Sequence, residues 1–180
     1  LRLDPVEAGH GTKPCRQGDV VALLVSTLVS GLVSVFQRPM QSPVESAQAW
    51  AAAYQAYAAT AQAAALLPVF TGTELSRMGG VLTRVMSQRQ PSAAMFASIL
   101  ADGVEAFWML PPVPFATPGA AGAVVLFPGK VALVGALLST LSGPRQASAA
   151  ATSVAQALDA ATKTVTVSFS PPPGGLATLV

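Results

Sequence analysis

The chain has 180 residues, of which ten are Lys or Arg, eight are Asp or Glu and one is His. Charged residues make up 10% of the sequence, well below the roughly 25% of an average soluble domain. Such a small number of titratable groups argues against an enzyme that depends on general acid–base chemistry. Because 52% of the residues are apolar, we expect an obligate assembly or a membrane to cover part of the surface.

The first segment, residues 1–18, is predicted to form an extended arm because Gly and Pro recur through it. It contains the one His and the one Cys of the chain, His10 and Cys15. A metal site would need two further ligands, and a nucleophilic Cys–His pair would need a rigid scaffold, so we assign neither role. A single Cys also rules out an internal disulfide.

The first helix is predicted over residues 19–37, and residues 20–36 within it carry no charge. A span of about 17 residues at ~1.5 Å each is about 26 Å long, which is short for a hydrocarbon core of about 30 Å. Ser26, Ser30 and Ser34 also share one face, as in an amphipathic helix. We therefore predict a helix that is buried in a protein assembly, with a membrane-associated helical protein as the alternative.

The second helix is predicted to begin at a capping box and to end at residue 67, before a proline. Ser42 is its cap, Pro43 suits its first position, and Glu45 completes the box. Three aromatic residues follow at spacings of four and three and share one face of this helix. We expect them to pack on a neighbouring helix, with a ligand platform or a subunit contact as the alternative. They are Trp50, Tyr54 and Tyr57.

The third helix is predicted to follow a second capping box, residues 71–74, and to end near residue 86. Its Arg77 and Arg84, with Arg89 just beyond it, form a weak basic stripe. The stripe is interpreted as a solvated helix edge rather than a nucleic-acid site, because the net charge of the chain is only +2.

The fourth helix, predicted over residues 91–110, carries two carboxylates three residues apart, Asp102 and Glu105. This spacing places both on one helix face. Without a His or a third acid nearby in the sequence, the pair is a poor candidate for a metal or acid–base site. We predict a solvated helix edge.

The remaining sequence is predicted to contain a loop, two helices and a strand. Residues 111–129, rich in Pro, Gly and Ala, are predicted as a long crossover loop with a short strand over 123–127. Helices are expected over 130–141 and 145–162. Residues 164–169 alternate polar and apolar side chains with several β-branched residues, which is typical of a strand.

A weak internal repeat suggests how these helices pair. Residues 21–31 resemble residues 131–143, and each stretch precedes a turn with Arg, Pro and Gln and then an alanine-rich helix. Duplication and shared alanine-rich composition both explain the similarity. The predicted fold class is mainly α: three αα-hairpins in a helical bundle, with an extended N-terminal arm, a long Pro/Gly loop and a C-terminal β-strand. The predicted domains are an arm (1–18), a helical domain (19–163, with hairpins 19–67, 73–110 and 130–163) and a strand with a Pro-rich tail (164–180).

Three stretches resemble the alanine-rich small virion proteins of tailed bacteriophages: residues 49–54, 103–113 and 157–162, the last followed by a Thr/Val strand and a Pro-rich tail. The resemblance is one of compositional style over roughly residues 20–180, and it transfers no catalytic residue. It implies a non-enzymatic component of a capsid, neck, tail or baseplate. The alanine-rich secretion-associated proteins of mycobacteria are a looser match, because neither Trp begins their Trp-X-Gly turn.

We therefore predict a non-enzymatic structural subunit of a large particle, a phage virion assembled in the host cytoplasm. It is expected to bind copies of itself and other structural subunits, with no cofactor, metal, small-molecule substrate or specific nucleic acid. A membrane-associated helical protein and a soluble ligand-binding bundle are the alternatives. Assembly contacts are expected in the loop and the C-terminal strand, because a partner can complete an exposed strand edge. The predicted contact residues are Phe115, Val125, Phe127, Val165, Val167 and Phe169.

Overall fold

The computed structural model describes residues 23–39, 42–64, 66–117, 120–143, 146–170 and 176–180. The arm predicted over residues 1–18, with His10 and Cys15, lies outside the described residues. Within them, the chain forms six helices and one five-stranded sheet. The helices are α1 (Val25–Gln37), α2 (Pro43–Ala58), α3 (Thr73–Met86), α4 (Ala93–Met109), α5 (Lys130–Leu141) and α6 (Ala147–Thr162).

The sheet is an antiparallel meander in which each strand pairs with the next along the chain. The fold is therefore a mixed one of helices and strands, and the predicted mainly α bundle with a single C-terminal strand was wrong. The strands are β1 (Leu67–Pro68), β2 (Pro114–Thr117), β3 (Ala120–Leu126), β4 (Thr166–Ser170) and β5 (Leu176–Thr178).

The largest error concerns residues 111–129, which we predicted as a long loop with one short strand over 123–127. β3 overlaps that predicted strand but begins earlier, at Ala120, and β2 was not predicted. The two strands pair from Pro114 opposite Ala123 to Thr117 opposite Ala120. Ala, Gly and Pro are disfavoured in strands, so β2 and the first half of β3 carry little strand signal. The pairing of β3 with β4 supplies the tertiary support that the local sequence lacks.

The second helix ends at Ala58 rather than at residue 67. Beyond it, Gln62 exchanges two backbone hydrogen bonds with Val180, at 3.1 and 3.3 Å. Ala64 then adopts a left-handed conformation with φ of 48°, and the chain continues into β1. The run of alanines favours helix locally, but pairing with Val180 overrides that preference and links the two edges of the sheet.

The starts of α2 and α4 follow the serine caps in the sequence. The Ser42 hydroxyl oxygen accepts from the Glu45 N–H at 3.1 Å, as predicted. The Ser92 oxygen accepts in the same way from the Met95 N–H at 3.1 Å. Each bond satisfies one of the N–H groups that have no acceptor in the first turn of a helix.

α3 begins with a glycine cap instead of a serine cap. Its N-cap is Gly72, whose φ of 87° suits a residue without Cβ. The buried Glu74 carboxylate reaches back and accepts from both the N–H and the hydroxyl of Thr71, each at 3.0 Å. Burial raises the pKa of Glu74, but hydrogen bonds from Thr71 and from nearby backbone N–H groups outweigh it, so the pKa is lowered overall. The ionised carboxylate thus fixes the turn that leads from β1 into α3.

The six helices pack in a closed ring. Each helix contacts the next one along the chain, and α1 also contacts α6. Short connections join α1 to α2, α3 to α4 and α5 to α6, whereas the strands follow the even-numbered helices. All strands therefore emerge at the same end of the helix ring, where they assemble into the sheet.

Aromatic side chains join the sheet to the helices in a single core. The Trp108 ring on α4 stacks on Phe115 of β2, with centroids 6.3 Å apart. Phe107 meets Tyr54 of α2 edge-on at 5.2 Å. Such pairs add to the free energy gained by burying the rings. The same aromatic side chains therefore fill the centre of the helix ring and cover the inner face of the sheet.

A chain of buried hydrogen bonds crosses this core. The Trp108 indole N–H donates to the Tyr54 hydroxyl at 2.8 Å, and that hydroxyl contacts the Thr162 hydroxyl at 2.7 Å. Beside it, the Tyr57 hydroxyl donates to the Asp159 carboxylate at 2.8 Å. Burial is the main reason that the pKa of each tyrosine is raised far above its usual value, so both hydroxyls stay protonated. The polar groups that join α2, α4 and α6 are therefore satisfied inside the core.

Replacing Tyr54 with Phe tests this network. The substitution keeps the ring but leaves the buried Trp108 indole N–H without its acceptor, so we expect a loss of about 1–3 kcal/mol in the free energy of unfolding. Thr152→Val on the exposed side of α6 is the control, with an expected change within about 0.5 kcal/mol. Urea unfolding of both variants decides the point, and equal stabilities would contradict the role given to Tyr54.

Candidate functional site

The pairing register divides the side chains of the sheet between two faces, because directly opposed residues on neighbouring strands point to the same side. Phe115, Val124 and Val167 point inward and are buried against the helices. We call the opposite side, which faces away from the helices, the outer sheet face. Its residues are Leu67, Pro114, Ala116, Ala121, Ala123, Val125, Leu126, Thr166, Ser168, Leu176 and Thr178.

A β-bulge in β3 enlarges the outer sheet face. The register shifts between Val124 and Leu126, so that Val125 is an extra residue in the strand. Strict alternation would have turned Leu126 inward, but the bulge leaves Val125 and Leu126 exposed side by side, at 39% and 57%. Phe127 then returns to the core with 8% exposure. The bulge thus places two large apolar side chains next to each other on the surface.

No residue of the outer sheet face, within the strands that the structure describes, is charged. Its leucines are well exposed, including Leu67 at 48% and Leu176 at 68%. From the strand spacing of ~4.8 Å and rise of ~3.3 Å, the face covers roughly 300–400 Å². An uncharged patch of this size is within the range that often marks a binding surface on a monomer.

The middle of the outer sheet face has a shallow depression of about 360 Å³, bordered by the side chains of Ala121, Ala123, Val125 and Ser168. A Cβ atom on the neighbouring Gly122 would lie 2.7 Å from the Phe169 ring, so only glycine lets this ring lie across β3. The lining is almost entirely apolar, with Ser168 as its polar side chain. Such a surface suits packing against another apolar surface.

The six predicted contact residues are divided between the core and the surface. Val125 is exposed on the outer sheet face, whereas Phe169 is half-buried and packs against the core on the inner side, opposite Gly122. The other four are buried in the core of their own chain, and in this conformation their side chains are not available to a second subunit. These four are Phe115, Phe127, Val165 and Val167. The assembly role of the six stays a prediction, and Val125 alone among them presents its side chain on the outer sheet face.

The aromatic face of α2 is part of the core. Trp50 is 4% exposed and packs edge-on against Phe36 of α1 and Phe96 of α4, with centroids 5.4 and 5.6 Å apart. Tyr54 and Tyr57 are also buried. These rings contact neighbouring helices, as expected, and do not form an open ligand platform in this conformation.

The carboxylate pair on α4 is held by a lysine from α5. The ammonium group of Lys130 lies 2.7 Å from a carboxylate oxygen of Asp102 and 2.7 Å from one of Glu105. Hydrogen bonds to Asp102 and then Glu105 are the main reasons that the pKa of Lys130 is raised. The two ion pairs therefore connect α5 to α4. Across the described part of the chain, no group of three or more His, Cys, Asp or Glu side chains is placed to bind a metal.

The outer sheet face was largely missed by sequence reasoning. Leu67 was placed at the end of a helix, and Leu176 was placed in an irregular tail. The usable signal was the alternation of residues 164–169, which marks β4 and predicts that a partner strand exists. It did not indicate that β2 and β3 supply that partner.

Comparisons of the chain with protein-family models, with curated proteins and with solved structures found no match. Among the described helices, none combines the length and apolar character that a bilayer crossing requires.

Replacing Lys130 with Met tests whether the α4–α5 ion pairs stabilise the fold. The three side chains are 35–45% exposed, and solvent screening limits the expected loss to less than about 1 kcal/mol at low salt and pH 7. Because the pKa of Lys130 is raised in the folded state, its contribution is fully present below the unfolded value of about 10.4 and is lost as the pH rises through the higher folded value.

Urea unfolding at low and high salt, and at pH 7 and pH 11, measures this difference. Arg84→Met, at an exposed basic residue without a carboxylate partner, is the control. The free energy of unfolding of Lys130→Met is compared with that of the unmodified protein. If their difference does not change with salt or pH, Lys130 acts through packing of its aliphatic stem alone.

Proposed function

We propose that this chain is a non-enzymatic structural subunit of a large protein particle and that it binds its neighbours through the outer sheet face. The observation that carries the proposal is the lack of any charged side chain on that exposed face, across all five strands. A sheet usually presents polar or charged residues on its solvated side. Covering this face with another subunit would remove its exposed leucines from water, which is favourable.

The size of the face indicates how many contacts assembly would need. Burying ~350 Å² at about 25 cal/mol per Å² contributes roughly 9 kcal/mol to the free energy of association. The loss of translational and rotational freedom opposes it by about 4–15 kcal/mol. A stable interface usually buries about 800 Å² on each partner. We therefore propose that the interface extends to neighbouring apolar side chains, such as Val131 at the start of α5, which is 83% exposed.

The edge of the sheet supports the same proposal. β5 pairs with β4 on one side only along Leu176–Thr178, and these three residues include neither Lys nor Pro. Natural edge strands are commonly protected by such residues, because an open edge invites pairing with another chain. Beyond β5 the pairing of Val180 with Gln62 covers the end of this edge, so the open part is limited to Leu176–Thr178. A short open edge next to an uncharged face is useful in a subunit whose neighbour covers both.

The particle that we propose is a bacteriophage virion, and the partners are copies of this chain and other structural subunits. The support for this part is the compositional resemblance to alanine-rich virion proteins described above. The proposed contacts at the outer sheet face do not depend on this resemblance, since any assembly that buries the face removes its apolar side chains from water.

Introducing a charge into the outer sheet face tests the proposed contact. Leu126→Glu places a carboxylate at an exposed bulge position, where the isolated subunit tolerates it. In an assembled interface the same carboxylate would lose water without gaining a partner, at a cost of about 2 kcal/mol or more per contact. We expect sedimentation velocity to show dissociation at concentrations at which the unmodified protein is assembled.

Val44→Glu is the matched control. Val44 is 49% exposed and lies in the first turn of α2, at the end of the helix ring away from the sheet, and the substitution introduces the same charge. It should leave the assembly intact, while circular dichroism confirms that both variants are folded. Unchanged assembly of Leu126→Glu, or equal loss in Val44→Glu, would contradict the proposal.

A further inference from the structure

The carboxylates of the described residues are all engaged within the chain. Four contact a lysine or arginine side chain at 2.7–3.4 Å, and the fifth accepts hydrogen bonds at a helix start. Asp102 and Glu105 share the single positive charge of Lys130, so α4 keeps one excess negative charge. No exposed carboxylate of the described residues is left without a cationic partner. The contacts are Glu45 with Arg38, Glu74 with Thr71, Asp102 and Glu105 with Lys130, and Asp159 with Lys163.

Three arginines of the described residues lack a carboxylate partner, and all three lie on α3 or in the turn that follows it. Arg84 and Arg89 are exposed. Arg77 is half-buried and donates from Nη2 to the Thr73 hydroxyl at 3.0 Å, while its covered Nη1 has no acceptor among the described residues. The uncompensated positive charge of the described surface is thus concentrated on one helix.

The exposed positions around these arginines carry hydrogen-bond donors. Ser76, Ser87 and Gln88 are exposed, and Gly80 leaves the helix backbone open, since a Cβ atom there would meet nothing within 4 Å. No exposed carboxylate and no exposed large apolar side chain lies between residues 73 and 92. Hydroxyl, amide and guanidinium groups are the ones that contact phosphate oxygens in protein–nucleic acid complexes.

We propose that the exposed face of α3 binds the phosphate backbone of a nucleic acid without reading its sequence. Arg77 and Arg84 are seven residues apart, about 10.5 Å along the helix axis at ~1.5 Å per residue. Double-stranded DNA presents a phosphate about every 1.7 Å of its axis, so one duplex spans both positions. Arg84 is exposed and reaches a phosphate directly, whereas the covered Arg77 guanidinium must first turn outward from Thr73. Guanidinium groups suit this role because they form paired hydrogen bonds with phosphate.

The same observations disfavour an acidic protein as the partner. The buried centre of a protein interface is usually enriched in aromatic and large apolar anchors, and the exposed face of α3 provides none. The proposal does not rest on assembly through the outer sheet face, because α3 belongs to the helix ring. A failure of one proposal therefore leaves the other standing.

Fluorescence anisotropy with labelled 20-nucleotide single-stranded DNA and a 20-base-pair duplex, each of mixed sequence, tests the proposal. For about three phosphate contacts, the logarithm of the binding constant should fall with the logarithm of salt concentration with a slope of roughly −2 to −3. Arg84→Gln and Arg89→Gln should each reduce the steepness of this slope by about 0.7–0.9, and the double variant should bind several-fold more weakly at about 50 mM salt.

Lys163→Gln is the control, since it removes one positive charge from α6, where that charge is paired with Asp159. It should bind DNA like the unmodified protein, and circular dichroism should show that all variants are folded. The absence of binding at about 100 μM protein, the weak end of non-specific affinity, would overturn the proposal. So would an equal loss in Lys163→Gln, or binding of labelled polyglutamate in place of DNA.

Discussion

The core that the sheet shares with the helices leaves each strand with only one covered face, and the rest of the structure depends on this asymmetry. The Trp108–Phe115 stack and the buried valines of β3 and β4 attach the inner face to the helix ring. A sheet in a stable domain is normally covered by a second layer or presents polar side chains to water. Here the second face has no covering layer, and its three hydroxyl side chains are outnumbered by alanine, proline, valine and leucine, with no charge among them. This imbalance is the physical reason for proposing a partner.

The few ionic groups of the chain are used mainly to join its own elements. Lys130 fastens α5 to α4, Lys163 and Tyr57 engage the one carboxylate of α6, and Glu74 holds the start of α3. Polar groups that are satisfied internally stabilise the fold but leave little charge to keep subunits apart. The arginines of α3 are the exception, and they give two different surfaces to one small protein: an uncharged sheet and a basic helix.

Much of the helical part of the fold was predictable from local sequence. The helix predicted over 130–141 is α5 with the same bounds, and the cap at Ser42 is confirmed by its hydrogen bond. Prediction failed where tertiary pairing decides the conformation. The alanine run after Ala58 leaves the helix to pair with Val180, and residues 114–117 and 120–122 form strands despite poor strand propensity. The outer sheet face depends on both of these segments, so sequence reasoning could not assemble it.

The mass of the unmodified 180-residue chain in solution, measured by sedimentation equilibrium over a wide concentration range, tests the central claim most directly. If the outer sheet face is an interface, the average mass should rise above that of one 18.2 kDa chain at concentrations around the micromolar affinity that a modest interface provides. A folded single chain that persists at hundreds of micromolar, about a hundredfold above such an affinity, would contradict the claim.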